Sequence, residues 1–185
     1  WHPLADGIPP DWASGWGQDR LGVYVEFTVA EATQRLRWIP PGRFTMGSPA
    51  DKPGRWDDEG PQHEVTIGEG FWLFATPLTQ ALYEAVTGEK PSRFKGADRP
   101  VENGSWNAAQ AFLRQVNERV PGLDLLLPSE AQWEYACRAG TETATYAGDL
   151  PDVETGGAEV LDPIAWYDGN SGGERVQRDF RGWPG

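Results

Sequence analysis

Apolar and polar residues alternate along residues 23–38, and this alternation predicts a β-hairpin. The apolar members share one side of each strand: Val23, Val25, Phe27, Val29, Leu36 and Trp38. A period of two residues is typical of strands that bury one face and expose the other. Shorter apolar runs at residues 38–48, 65–67 and 71–73 predict further strands.

Two later segments have the three- and four-residue spacing of amphipathic helices. Thr79 is the predicted N-cap of the first helix, and Gly88 is its predicted stop. Its apolar stripe consists of Leu82, Tyr83 and Val86. Ser105 is the predicted N-cap of the second helix. The stripe of that helix consists of Ala109, Phe112, Leu113, Val116 and Val120.

A third helix has both of its ends specified by the sequence. Ser129 followed three residues later by Gln132 forms a capping box, in which each side chain accepts a hydrogen bond from the backbone N–H of the other. Glu130 places negative charge in the first turn, and Gly140 is the predicted stop. We therefore expect a short, well-defined helix here.

The faces of this third helix differ in polarity. Trp133 and Cys137 lie four residues apart on an apolar side, so we expect Trp133 to point into a core and Cys137 to be a small buried thiol. Glu134 and Arg138 have the same spacing on another side.

The amino-acid composition limits the classes of protein to which this chain can belong. Ten Trp, 23 Gly and 16 Pro among 185 residues indicate a loop-rich α+β domain rather than a helical bundle. The net charge of −12 argues against nucleic acid and anionic lipid as partners. No apolar run approaches the roughly 20 residues of a membrane span, which argues against a membrane protein. A single cysteine excludes an internal disulfide, so we expect a cytoplasmic location, although a disulfide-free protein can also be exported.

The domain organisation follows from where the periodicity begins. Residues 1–22 contain Trp1, Trp12 and Trp16 among Pro and Gly without either period, and we interpret them as an N-terminal arm. Such an arm either packs on its own domain, which is the usual case, or binds a partner. Residues 23–185 form the remaining domain, because no repeat or low-complexity block divides them.

Several motifs carry a resemblance to a known family. Residues 127–136, Leu-Pro-Ser-Glu-Ala-Gln-Trp-Glu-Tyr-Ala, resemble the Leu-Pro-Thr-Glu-Ala-Glu-Trp-Glu-Tyr-Ala signature of the formylglycine-generating enzyme (sulfatase-modifying factor) family. Residues 44–48, 59–65 and 90–106 are similar to other motifs of that family, in the same order. The sequence departs at Leu126, where the family usually has Arg. The resemblance implies an α+β fold of the formylglycine-generating-enzyme type, a variant of the C-type lectin fold, with two to three short helices and short antiparallel strands.

The C-terminal motifs of this family are absent before Gly185. These are Gly-Asn-Val-Trp-Glu-Trp and Arg-Gly-Gly-Ser-Trp. We therefore expect the family fold to be incomplete at its C-terminal side. Either the natural polypeptide continues past Gly185, or the open sheet edge is closed by a second chain or by the N-terminal arm.

The catalytic centres implied by the resemblance do not match the residues present. The formylglycine-generating enzyme uses a cysteine pair that binds copper, and other members use three His to bind iron. This sequence has only Cys137, and its two histidines are His2 and His63. We expect His63 to anchor a loop through a hydrogen bond. Whether the chain is an enzyme stays open, and the residues favour a non-catalytic domain.

One segment has a weak resemblance to a calcium loop. Asp168, Asn170 and Glu174 offer alternating oxygen ligands on a predicted turn, and calcium is the one cofactor that we consider. An ordinary Asx-rich turn explains the same residues. A second acidic run at residues 57–59 lies in a polar loop, where we interpret it as a solvated charge cluster rather than an acid/base pair.

Two functions follow from the resemblance. The first is a non-catalytic domain that binds a ligand or protein, similar to the variable proteins of bacterial and phage diversity-generating retroelements. Its contact surface is then expected in the C-terminal part of the fold, and a second chain completing the sheet is another candidate partner. The alternative is a fragment of an oxidoreductase that converts a sulfatase cysteine to formylglycine.

Overall fold

The computed structural model describes residues 2–52, 55–146, 148–149 and 161–165. The strands in these ranges are β1 (Gly15–Asp19), β2 (Gly22–Val29), β3 (Ala32–Ile39), β4 (Gly42–Met46), β5 (His63–Ile67) and β6 (Phe71–Phe74). The helices are α1 (Gln80–Thr87), α2 (Trp106–Arg119) and α3 (Glu130–Arg138). The chain divides into two compact units. The first consists of Trp1–Phe44 and Val65–Trp133, and the second of Thr45–Glu64 and Glu134–Gly185.

The main sheet of the first unit is antiparallel, with strand order β1-β2-β3-β6. The predicted hairpin is confirmed, since β2 pairs with β3 in a register that places Val25 opposite Leu36. The predicted strands at residues 65–67 and 71–73 are found within β5 and β6. The strand predicted within residues 38–48 is β4, which pairs with β5 in a separate two-stranded sheet.

Strand β1 was not predicted, because its sequence contains two glycines and no alternating pattern. In the structure, Gly17 lies opposite Tyr24 and Gly15 opposite Glu26 of β2. A Cβ atom on Gly17 would lie 2.9 Å from the Tyr24 hydroxyl oxygen, and one on Gly15 would lie 2.6 Å from Glu26 Oε2. The glycines thus make room for the large side chains of β2. The last part of the predicted N-terminal arm is therefore a strand of the sheet.

The hydrophobic core of the first unit forms where α1 packs against β2 and β3 and α2 packs against α1. The sheet contributes Val25, Phe27, Val29 and Leu36, the helices contribute Leu82, Tyr83, Val86, Phe112, Leu113 and Val116, and Leu123 follows α2. The rings of Tyr83 and Phe112 stack with their centroids 5.7 Å apart. Both predicted helical stripes therefore face this core.

The predicted helix starts are confirmed by their caps. The Thr79 hydroxyl accepts a hydrogen bond from Leu82 N (3.3 Å), and that of Ser105 accepts one from Ala108 N (3.1 Å). Gly88 ends α1 in the left-handed conformation, with φ 76°, which a glycine adopts without strain. None of the helices within the described ranges is long and apolar enough to cross a lipid bilayer.

The outer face of the main sheet is a network of charged side chains. Arg37 donates two hydrogen bonds to Asp19, at 2.7 and 2.8 Å. Arg35 donates to Glu26 (2.8 Å), and its guanidinium carbon lies 3.8 Å from the centre of the Tyr24 ring. The hydrogen bonds from Arg37 lower the pKa of Asp19 from 3.8 to about 2. The Asp19 carboxylate is therefore bound more tightly by the fold than its protonated form is.

We expect Asp19→Asn to lower the midpoint temperature of unfolding at neutral pH, because it removes a charged acceptor of Arg37. The pKa of Asp19 is depressed in the folded state. The stability that its carboxylate gives to the fold is therefore present above pH 3.8 and is lost as the pH falls toward about 2. Thermal unfolding followed by circular dichroism across this range checks the prediction, with Asp98→Asn at an exposed loop position as the control. The prediction would be contradicted if the midpoint temperatures of wild type and Asp19→Asn differed by the same amount at every pH.

Candidate functional site

Helix α3 is positioned at its start by the predicted capping box. Ser129 N donates to Gln132 Oε1 (2.9 Å), and Gln132 N donates to Ser129 Oγ (3.2 Å). The helix ends at Arg138, and the next two residues, Ala139 and Gly140, have positive φ values of 48° and 86°. Both predicted ends of the helix are therefore confirmed to within two residues.

The side of α3 that bears Glu134 and Arg138 binds the backbone of Gly47. Glu134 Oε1 accepts hydrogen bonds from Gly47 N (2.9 Å) and Arg138 Nε (2.8 Å). Arg138 Nη2 donates to Gly47 O (2.9 Å). Gly47 has a φ of 89°, and a Cβ atom there would lie 2.6 Å from the carbonyl oxygen of Glu59. This contact therefore requires glycine and joins segments of the second unit that are distant in sequence.

The expectations for Trp133 and Cys137 are wrong. Trp133 is 59% exposed, and Cys137 is also exposed. The physical reason is that the charged pair Glu134 and Arg138, rather than the apolar side of the helix, makes the contact with the Gly47 backbone. A helical apolar stripe predicts a face but does not identify what that face contacts.

Two leucines just before α3 are exposed as well. Leu126 is 84% exposed and Leu127 is 40% exposed. Together with Trp133 they form what we call the apolar segment, defined as Leu126, Leu127 and Trp133. Leu126 and Leu127 are adjacent in the chain, and Trp133 follows six residues later. Large apolar side chains that are exposed together on one surface are typical of contact sites for other molecules.

The acidic run at residues 57–59 forms a single 3₁₀ turn. Glu59 accepts hydrogen bonds from Ser48 Oγ (2.6 Å) and Trp56 N (3.0 Å), and its carboxylate lies 3.5 Å from Lys52 Nζ. The hydrogen bond from Ser48 is the main cause of a lowered pKa for Glu59. A carboxyl group with a lowered pKa is a poor proton donor near neutral pH, so Glu59 orders the loop and does not act as a general acid.

The other candidate residues that lie in the described part of the chain do not assemble a reactive centre. His63 is exposed, and its Nδ1 lies 3.0 Å from the carbonyl oxygen of Pro61, which fits the predicted loop anchor. Within the described residues, no group of three His, Cys, Asp or Glu side chains is arranged to hold a metal ion. Asp168, Asn170 and Glu174, the predicted calcium ligands, lie outside the described residues, so that site stays a prediction.

A groove of about 390 Å³ lies between α1 and the loop that follows it. Lys90 Nζ pairs with Glu84 (2.7 Å), and Lys95 Nζ donates to the Lys90 carbonyl oxygen (3.0 Å), so both ammonium groups have partners within the protein. Burial raises the pKa of Tyr83, which lines the groove and therefore stays a neutral phenol. The described residues of this groove thus provide polar walls and no activated nucleophile.

Arg138→Ala is expected to destabilise the protein by about 1–3 kcal/mol, because it removes two part-buried hydrogen bonds and leaves the Gly47 carbonyl oxygen and the Glu134 carboxylate with fewer donors. Urea unfolding measures the change. Arg138→Lys is the matched control, since it keeps the charge but not the planar pair of donors, and it should recover only part of the stability. Equal stability of Arg138→Ala and wild type would show that the contact contributes little.

Comparison with known proteins agrees with the motifs found in the sequence. A family model, the sulfatase-modifying factor enzyme 1-like domain, matches residues 25–181. The chaperone protein LppX of Paenibacillus barcinonensis is 26% identical over an alignment 156 residues long, which covers 65% of this chain and 51% of LppX. The formylglycine-generating enzyme of Mus musculus is 30% identical over 84 residues, which are 45% of this chain and 20% of the enzyme. The chain thus spans about half of LppX and a fifth of the mouse enzyme.

One solved structure extends the likeness to the fold. Treponema denticola variable protein 1 superposes with a TM-score of 0.63 and 23% sequence identity, over 80% of this chain and 66% of that protein. At this identity the likeness concerns the fold alone. Leu127 and Trp133 of the apolar segment match the family signature, and Leu126 is the position at which the sequence departs from it. The signature predicts the helix but not which of its side chains are exposed.

Proposed function

Since the chain belongs to the sulfatase-modifying factor enzyme 1-like domain family, we propose that it is a non-catalytic member whose function is to bind a partner protein. The observation that carries this proposal is the exposure of Trp133, Leu126 and Leu127. Tryptophan supplies a large contact area with few rotatable bonds, and it is enriched among the residues that dominate binding energy in protein interfaces.

The local structure supports this use of the apolar segment. The capping box of Ser129 and Gln132 fixes the first turn of α3, from which Trp133 projects. A side chain on an ordered helix loses less conformational freedom on binding than one on a mobile loop. The apolar segment is therefore partly preorganised for a partner.

A relative supports the same class of function. LppX is by name a chaperone, and a chaperone binds other proteins. The match covers 65% of this chain, which is a larger share than the match to the mouse enzyme covers. For this chain, the match to LppX favours binding of another protein over conversion of a sulfatase cysteine to formylglycine.

The second candidate is a fragment of an oxidoreductase that generates formylglycine. The 30% identity to the mouse enzyme favours it. A copper site of the kind implied by that relationship needs two thiolates, and Cys137 is the only cysteine in these 185 residues. The residues of this chain therefore do not fit that centre, and we assign no reaction step to it.

We expect the protein to leave a sulfatase-derived cysteine peptide unchanged when it is incubated with Cu(I) and oxygen. The reason is that one exposed thiol cannot supply a two-thiolate copper site. Mass spectrometry of the peptide and an aldehyde-reactive probe measure the outcome, with a formylglycine-generating enzyme as the positive control. Aldehyde formed in proportion to the protein concentration would overturn the proposed function.

Binding through the apolar segment is tested with a random peptide library selected against the immobilised wild-type protein. Trp133→Ala should weaken the selected peptides by about 30-fold, the effect of removing an interface residue that contributes about 2 kcal/mol. Trp106→Ala is the control, because Trp106 is a similarly exposed tryptophan, at 68%, on α2. Circular dichroism verifies that both variants fold. Equal affinity of wild type and Trp133→Ala would show that the apolar segment is not the contact surface.

A further inference from the structure

A second depression, of about 610 Å³, lies in the first unit, where β3 ends and the turn between β5 and β6 begins. Its described lining consists of Trp38, Pro40, Pro41, Gly68, Glu69 and Gly70. Its volume is within the range of ligand sites in proteins, and its walls are mainly apolar, as is typical of such sites. Neither the family motifs nor the apolar segment includes it.

Trp38 is held in place from two sides. Its ring meets Trp72 edge to face, with centroids 5.3 Å apart and an angle of 63° between the planes. On another side the ring lies so close to Gly70 that any side chain at that position would clash with it. The indole Nε1 is buried and has no hydrogen-bond partner among the described residues. Trp72 and Gly70 therefore restrict the positions that the Trp38 ring can take.

Glu69 provides the polar part of the depression. Among the described residues that line it, Glu69 carries the only charge, and the side chain is exposed. Within the described part of the chain, its carboxylate forms neither a hydrogen bond nor an ion pair. The carboxylate is thus available to a ligand at the edge of an aromatic and proline-lined wall.

We propose that this depression binds an arginine side chain of a partner protein. The inference rests on the proposed function, and it adds a site and a ligand class to it. A guanidinium group stacks on an aromatic ring and donates paired hydrogen bonds to a carboxylate, so Trp38 and Glu69 together match both of its properties. Pro40 and Pro41 lack a backbone N–H, so that wall presents no donor to oppose the guanidinium donors.

The charge of the whole chain favours the same ligand class. The net charge of −12 attracts basic segments and repels acidic ones over distances longer than a direct contact. A lysine ammonium carries the same charge, but it has no planar donor pair and holds its water more strongly. We therefore expect arginine to bind more tightly than lysine.

The test uses ¹⁵N-labelled protein titrated with N-acetyl-arginine amide, followed by two-dimensional NMR. The indole N–H of Trp38 and the amides of Gly68 and Gly70 should shift in a saturable way, with a Kd of about 1 mM for a single side chain. N-acetyl-citrulline amide has nearly the same shape and no charge, and should bind about tenfold more weakly. Equal binding of the two probes would overturn the proposal, as would shifts confined to other parts of the chain.

Two variants and one control variant test whether N-acetyl-arginine amide binds in this depression. Glu69→Gln should weaken N-acetyl-arginine amide by about fivefold, because the stacking on Trp38 remains while the charged acceptor is lost. Gly68→Leu should abolish binding by filling the depression, since a Cβ atom at Gly68 has no protein atom within 4 Å. Glu31→Gln, in the turn between β2 and β3, should bind as wild type does. If Gly68→Leu does not fold, Glu69→Gln decides, and an unchanged affinity there refutes the site.

A blocked tripeptide with arginine at its centre tests whether the bound arginine side chain can belong to a protein chain. It should bind at least as tightly as the single residue, because Pro40, Pro41 and Gly68 are exposed and leave room for a chain to pass. A tripeptide that fails to bind where N-acetyl-arginine amide binds would rule out a protein partner at this site. Failure of all arginine probes leaves the proposed function intact, since that function is decided by the copper assay and the peptide library.

Discussion

Burial of one face of the β2–β3 hairpin is the constraint on which the first unit depends. Val25 and Leu36 lie opposite each other in the register, and both are almost completely buried beneath the helices. Because side chains alternate along a strand, a shift of one residue would move the whole apolar set into water and the charged set into the core. The burial of this apolar set therefore keeps Arg35 and Arg37 on the opposite, outer face of the sheet, where they meet Asp19 of β1.

Much of this fold could be predicted, because its main elements are local in sequence. The hairpin, the caps of Thr79, Ser105 and Ser129, and the helical stripes follow from patterns within about a dozen residues. The α+β fold and the family were confirmed as well. Strand β1 was not predicted because its glycines are needed only to make room for the side chains of β2. That need becomes visible only once the two strands are paired.

The candidate surfaces were harder to predict, for a different physical reason. Exposure of Trp133 depends on which side of α3 binds Gly47, and Gly47 is 87 residues from Glu134 in sequence. The depression at Glu69 forms between the end of β3 and the Gly-Glu-Gly turn that joins β5 to β6. From the sequence alone, such a turn is predicted only as a link between two strands. The two surfaces differ in chemistry, one apolar and one with a carboxylate beside an aromatic ring, so a partner that uses both would need apolar and basic residues.

The contact between Gly47 and Arg138 has a consequence for how the protein is made. During synthesis Gly47 leaves the ribosome 91 residues before Arg138 does, so residues 45–64 exist for that interval without the side chains that bind them. Bringing such distant segments together has a larger loop-closure cost than closing the β2–β3 hairpin. The strands and helices whose residues form the core of the first unit, as far as Leu123, have all been made before α3 is released, so they can pack while the chain is still growing. The contact of Gly47 with Glu134 and Arg138 can form only after α3 has been released.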